Sequence, residues 1–248
     1  MSFSAVTTLA HGGAETVALV TADVTHQSIA PLVWATAGWR RVPLVPHGAV
    51  TRIVGGRRVE AVEVTDLRSG RTRHIACDTV VFTGDWIPDH ELAREAGLLM
   101  DATCGPRVDC ALATSADGVF AAGNLVHAAE AADVAALSGR HAAHGAHAYL
   151  RDGGRGDTAR MAIECRPPVR WISPGTLGGG TAPPRGRFVL RVGERIRRGA
   201  VEVAQGVRVL WREPPRNLVP GRSIRLDAVW IGGVDPDGPP LLVRVIGD

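Results

Sequence analysis

The run Thr114-Ser115-Ala116-Asp117-Gly118-Val119-Phe120-Ala121-Ala122-Gly123-Asn124 limits what this chain can fold into more than any other stretch. Asp117-Gly118 is a turn pair. Val119 to Ala122 is short, small and apolar, which suits a strand covered on both faces. Gly123 lets the backbone approach a neighbour closely, and Asn124 presents a short polar side chain there. Asp133 can then cap an alanine-rich helix running to about Leu150. The first N–H groups of that helix, around Val134, Ala135 and Ala136, point back towards the strand end.

Upstream, Ser2 to Ala10 reads as a helix stopped by Gly12-Gly13. Thr16 to Val20 is a continuous apolar run of strand length, and Asp23 follows it. Helix, glycine turn, buried strand and acid make the second half of a βαβ dinucleotide unit, where the acid can accept a bond from the adenosine ribose. A plain turn aspartate stands beside that reading of Asp23. No G-x-G-x-x-G turn precedes the helix; Gly153-Gly154 and Gly178-Gly179-Gly180 neither follow a strand nor open a helix.

Val24 to Trp39 is read as a further helix and Arg41 to Pro46 as extended chain. Three strands, Val50–Val54, Val59–Thr65 and Arg71–Ala76, alternate about turns at Gly55-Gly56 and Arg68-Ser69-Gly70. They predict a β-meander with Val62 and Val64 on one face. Thr79 to Thr83 reads as another buried strand, ended by Gly84-Asp85-Trp86-Ile87-Pro88, and Glu91 to Gly97 as a short helix.

The order strand, G-x-x-x-P, helix, then T-S-x-x-G-V-F-A-A-G-N resembles the two-dinucleotide-domain flavin oxidoreductases. In that family T-S-x-x-G-[VI]-[FY]-A-x-G-D is the last FAD-contacting segment, and a strand ending in G-x-x-P-[ND] marks the return from the nicotinamide domain. Here one extra residue separates Gly84 from Pro88, and Asn124 replaces the aspartate. An asparagine oxygen still accepts a hydrogen bond, without the charge-assisted strength.

The resemblance runs from the start of the chain to about Leu150 and implies the C-terminal portion of an FAD-dependent, NAD(P)H-linked oxidoreductase. Hydride would pass from NAD(P)H to FAD and on to a small-molecule acceptor. It implies FAD contacts from Gly123, Asn124, Asp133, Val134 and Ala135, and NAD(P) contacts from Asp23 and Gly84. Asp133 as a simple helix cap remains the alternative. The opine-oxidase-like and sarcosine-oxidase-alpha-like branches fit best, because they lack a redox dithiol.

Composition supports this by exclusion. Cys77, Cys104, Cys110 and Cys165 form no C-x-x-C pair. Scattered cysteines of this kind are inert apolar residues more often than ligands, which argues against a disulfide reductase. All basic side chains are arginine, and the net charge is only +3. The cluster from Arg185 to Arg198 has no interleaved aromatics, so nucleic acid is not an expected partner. No apolar run approaches the ~20 residues of a membrane span, and the first residues lack a basic signal region. The expectation is a soluble cytoplasmic protein. His141, His144 and His147 are spaced as a helical stripe, read as solvent-facing rather than metal-binding.

The expected fold is α/β: an incomplete doubly wound FAD/NAD(P)-binding fold with a β-meander, plus a small all-β C-terminal module. Residues 1–88 would carry the remnant NAD(P)-binding domain and 89–150 the C-terminal part of the FAD-binding domain. Residues 151–187 would be a linker and Pro/Gly-rich passage, and 188–248 the β module, a sandwich or partial barrel. The second reading is a truncated or split-gene half that is not catalytic alone and completes a flavoprotein with a separate N-terminal chain. Self-association is a further possible partnership.

Overall fold

Gly13 closes the first helix, α1 (Ser2–His11), with φ at +80°, and the Ala14 N–H turns back to the Leu9 carbonyl at 2.9 Å. That is the stop the glycine pair predicts. The structure is a computed structural model describing residues 2–24, 41–84, 87–128, 130–154, 160–178 and 180–247. The helix expected from Val24 to Trp39 lies outside them past Val24, as do Asp85 and Trp86. The chain forms two units, residues 1–85 and 86–248.

In the first unit the apolar run before Asp23 pairs only at β1 (Leu19–Val20), parallel to β2 (Leu44–Val45). Val17 is 44% exposed, so the buried strand expected over Thr16–Val20 forms only at its end. The meander is as predicted: β3 (Gly48–Gly55), β4 (Val59–Asp66) and β5 (Thr72–Ala76) run antiparallel in sequence order. Val62 and Val64 are buried with Val45, and Val20, Val50 and Ile75 pack over them. The turn after β4 is fixed by the Asp66 carboxylate, which accepts the Arg68 and Ser69 N–H groups at 2.8 and 2.9 Å.

Thr79–Thr83 departs from expectation. It joins no sheet, and Val81 and Phe82 are 50% and 76% exposed. A doubly covered strand needs neighbours on both sides, and among the described residues β1 and β2 pair only with each other.

The second unit begins with α2 (Glu91–Glu95), stopped at Gly97 with φ +69°. The chain then folds back on itself through two isolated bridges, Met100 to Pro106 and Ala113 to Phe120. Val119–Ala122 is therefore not the doubly covered strand its composition suggests. Its outer residue Val119 is 41% exposed, while Ala121 is buried and donates to the Leu112 carbonyl at 3.0 Å. The long helix α3 (Ala132–Arg151) lies against this hairpin. It comes so close that a Cβ on Gly145 would stand 2.5 Å from the Ala111 carbonyl oxygen.

The rest is a β-sandwich. β6 (Met161–Cys165), β7 (Val169–Ser173), β8 (Thr176–Leu177), β9 (Arg187–Val192), β10 (Ile196–Gln205), β11 (Arg208–Arg212), β12 (Arg216–Leu218), β13 (Ile224–Asp227) and β14 (Leu241–Gly247) form two sheets. One has the order β11-β10-β14-β6-β8, with β12 on β10, and the other is β13-β9-β7. Period-two alternation turns Phe188, Leu190 and Val192 of β9 inward against Val201, Val203, Leu241 and Val243. Trp230 stacks on Phe188 with centroids 5.1 Å apart.

β6 and β7 lie in the stretch read as linker and Pro/Gly passage. The prolines punctuate these strands rather than prevent them: Pro167-Pro168 falls in the turn between β6 and β7, and Pro174 directly after β7.

One buried charge braces the larger sheet. Glu202 on β10 is wholly buried, opposite Arg212 on one neighbouring strand and Arg244 on the other. Burial alone would raise its carboxyl, but bonds from Arg212 and Arg244 outweigh this and hold it below the ordinary range. A depressed folded value means the stabilisation is present above the unfolded value, about 4.3, and is lost as pH falls through the folded one. Glu202→Gln should cost about 1–3 kcal/mol at pH 7, limited because both arginines reach solvent. Thermal melts of both proteins should converge as pH falls below about 4.

Candidate functional site

The exit from the hairpin is built by backbone geometry. Gly123 sits at φ +68°, in the left-handed region, and opens a short 3-10 turn through Leu125. Its N–H donates to the Ser138 hydroxyl on α3 at 3.0 Å, which fixes the exit against the helix. Ser138 escaped the sequence reading. Its signal is spacing: Val134, Ser138 and Ala142 share one helical face, so a hydroxyl on that face must find a backbone partner.

Asn124 is exposed, as the sequence implies, but its side chain is not idle. Its Oδ1 accepts the Glu130 N–H at 3.0 Å, and its Nδ2 donates to the Glu130 carbonyl at 3.4 Å. This two-bond clasp closes the loop before α3. It needs one acceptor and one donor, which asparagine supplies and an ionised aspartate does not.

Two details of the helix entrance differ from expectation. Asp133 is not the cap: α3 starts at Ala132, Ala131 occupies the capping position, and no side chain caps the helix there. Asp133 lies in the first turn, where a carboxylate is favoured by the helix dipole. The donors also shift. Ala135 already bonds to the Ala131 carbonyl at 3.0 Å, so the N–H groups preceding the first intrahelical bond belong to Ala132, Asp133 and Val134. Ala135 and Ala136 are inside the ladder.

These features fit the ribityl and pyrimidine end of a flavin: a left-handed glycine exit, an exposed amide at the next residue, and a helix start without a side-chain cap. They lie together in the second unit. The proposed nicotinamide-side residues lie in the first. Asp23 follows β1 and accepts the His47 N–H on its carbonyl at 3.1 Å. Gly84 is exposed, with open space where a Cβ would be.

All four cysteines are free; burial pushes the Cys110 thiol up to about 11 and the Cys165 thiol up to about 12. His141 leaves the expected solvent stripe: its Nε2–H donates to the Cys110 carbonyl at 2.7 Å, while His144 and His147 stay exposed.

A profile of the pyridine nucleotide-disulphide oxidoreductases matches residues 6–139, more than half of the chain. The chain belongs to that family. Membership implies FAD and NAD(P)H as cofactors. A thioredoxin reductase of Treponema pallidum (strain Nichols) is 34% identical over 112 residues, covering 42% of this chain and 36% of that one. Among solved structures, a thioredoxin reductase of T. acidophilum aligns at 24% identity with a TM-score of 0.47, over 56% of this chain and 45% of that one. A ferredoxin reductase of Rhodopseudomonas palustris, for the CYP199A2 system, aligns at 19% identity and TM-score 0.45, over 75% and 45%. The chain thus spans less than half the length of these relatives. The fold is a mixed α/β one with several sheets and few helices.

Proposed function

We propose that this chain supplies the flavin-facing C-terminal portion of an FAD-dependent, NAD(P)H-linked oxidoreductase acting on a small-molecule acceptor. The observation that carries the reading is the assembly at one end of α3: Gly123 held by Ser138, Asn124 clasped to Glu130, and a helix start with no side-chain cap. A bound flavin would supply two-electron transfer between nicotinamide and acceptor. Gly123 gives its ribityl chain close backbone access, the Asn124 amide offers a polar contact, and the N–H groups of Ala132, Asp133 and Val134 favour negative charge at its pyrimidine edge. Asp23 and Gly84 are the proposed nicotinamide-dinucleotide contacts. The buried thiols support a branch without a redox dithiol, of the opine-oxidase-like or sarcosine-oxidase-alpha-like kind. The proposed location is the cytoplasm.

Titrating FAD with purified chain and following flavin fluorescence tests the site. Gly123→Val forces a β-branched residue into the left-handed region, at a cost of roughly 1–3 kcal/mol, and should weaken FAD binding about tenfold or more. Asn124→Asp should also weaken it, by losing the donor to the Glu130 carbonyl. Equal affinity in wild type and both variants would place the flavin elsewhere.

A second reading is favoured by the exposed Val81 and Phe82, outside any sheet. On this reading the chain completes a flavoprotein with a separate N-terminal polypeptide that carries the G-x-G-x-x-G turns. A chain that binds FAD only when mixed with such a partner supports it; binding of the same strength by the chain alone excludes it.

A further inference from the structure

We propose that the β-sandwich positions the Asn124 amide, with Trp171, Arg191 and Ser223 as positioning residues that act through the loop of residues 124–130. Asn124 closes this loop by bonding both backbone groups of Glu130. That clasp joins one end of the loop to the other. Three further contacts join the loop to the sandwich, one at each strand of the β13-β9-β7 sheet.

Alternation on β9 that sends Leu190 and Val192 into the core sends Arg191 to the outer face, where Trp171 of β7 is its cross-strand partner. Trp171 therefore stands outside the sandwich core, yet it is only 7% exposed. The His127 ring lies against it, with centroids 5.6 Å apart, and the Arg191 guanidinium stands 5.5 Å from the same indole ring. An outward tryptophan so well covered is a docking platform, and its large apolar area favours the docked loop. Arg191 reaches further, donating from Nη2 to the Ala128 carbonyl at 3.3 Å. Ser223, the residue before β13, donates its hydroxyl to the Glu130 carboxylate, a charge-assisted bond.

These contacts fall at His127, Ala128 and Glu130, the end of the loop where the partners of Asn124 lie. Both groups that hold the amide belong to Glu130, and Ser223 holds the side chain of that residue. Fixing Glu130 therefore fixes which way Oδ1 and Nδ2 of Asn124 point. Each amide atom keeps one further site, a second lone pair on Oδ1 and a second hydrogen on Nδ2. Held in one orientation, they meet a ligand without the ordering cost that a mobile side chain incurs on binding. This deepens the flavin reading and rests on it for the ligand; the tether to the sandwich rests on its own contacts.

Hydrogen exchange by mass spectrometry on the full chain without FAD reads the tether, with β9 as the internal reference. Ser223→Ala should speed exchange across residues 124–130 about tenfold and leave 187–192 unchanged. The same variant should bind FAD about tenfold more weakly and alter the visible circular dichroism of the bound flavin. Arg191→Gln should act in the same direction. Ser223→Thr, which keeps the hydroxyl, should restore both readouts. Arg216→Gln, which removes the ion pair to Glu213 elsewhere on the sandwich, should change neither. Equal acceleration across 187–192 would mean general loosening and overturns the proposal, as does faster loop exchange with FAD affinity unchanged. A wild-type chain that takes no FAD, with the expected exchange pattern in the variants, sinks the flavin reading and leaves the tether standing. Normal FAD binding with unchanged loop exchange in Ser223→Ala sinks the tether and leaves the flavin reading standing.

Discussion

Asp109→Ala is expected to destabilise the second unit by about 3–5 kcal/mol, enough to lower its thermal midpoint by about 10 °C. Asp109 is 2% exposed and satisfies three groups. Its Oδ1 accepts the Ala111 and Ala113 N–H groups, each at 3.0 Å, and its Oδ2 accepts Arg160 Nη2 at 2.6 Å. Alanine leaves two backbone donors without this acceptor and a half-buried guanidinium without its counter-charge. Arg160 also donates to the Thr114 carbonyl at 3.0 Å, so the first residue of the proposed flavin segment loosens with it. Differential scanning calorimetry measures the loss. Asp109→Asn should recover part of it, since an amide oxygen can still accept from the two alanines. A midpoint unchanged in Asp109→Ala would mean that the network contributes nothing.

Gly105→Ala should be nearly as severe, at about 3 kcal/mol, and should also reach the proposed flavin site. A Cβ on Gly105 would lie 2.2 Å from the Leu125 carbonyl oxygen and 2.4 Å from that of Val126. Both are backbone atoms in the turn that Gly123 opens, so relief requires moving the Gly123–Leu125 exit itself. Urea unfolding gives the stability loss, and FAD titration of the folded fraction gives the site effect. The expected result is weakened FAD binding even at temperatures where the variant is fully folded. Wild-type affinity in that fraction would show that the turn absorbs the methyl group without displacing Asn124.

Local signals were legible where local chemistry decides. Gly13, Gly97 and the Asp66–Gly70 turn carry their own conformations, and the meander follows from alternation that buries Val62 and Val64. The β module expected over residues 188–248 holds strands β9 to β14 apart from the start of β9, while the sandwich also takes in β6, β7 and β8. What failed were inferences about cover. Val119–Ala122 and Thr79–Thr83 have the composition of doubly covered strands, yet composition does not say whether neighbouring strands are present. Asp133 was read as a cap because aspartate favours that position, whereas the Asn124–Glu130 clasp sets where the loop ends and α3 begins. The Arg160 partner of Asp109, the Gly123 partner of Ser138 and the cross-strand arginines of Glu202 lie at long sequence separations or on other strands, and no spacing rule reaches them.

Cys110 belongs to two structures at once. Its side chain is in the sandwich core, while its carbonyl takes the His141 bond from α3. The structural boundary between hairpin and sandwich therefore does not coincide with the Gly-rich chain after Arg151. A recombination that exchanged the sandwich for another module at that point would leave Cys110 without the core it fills. An exchange of the sandwich that keeps its core filled must cross ahead of the hairpin containing Cys110.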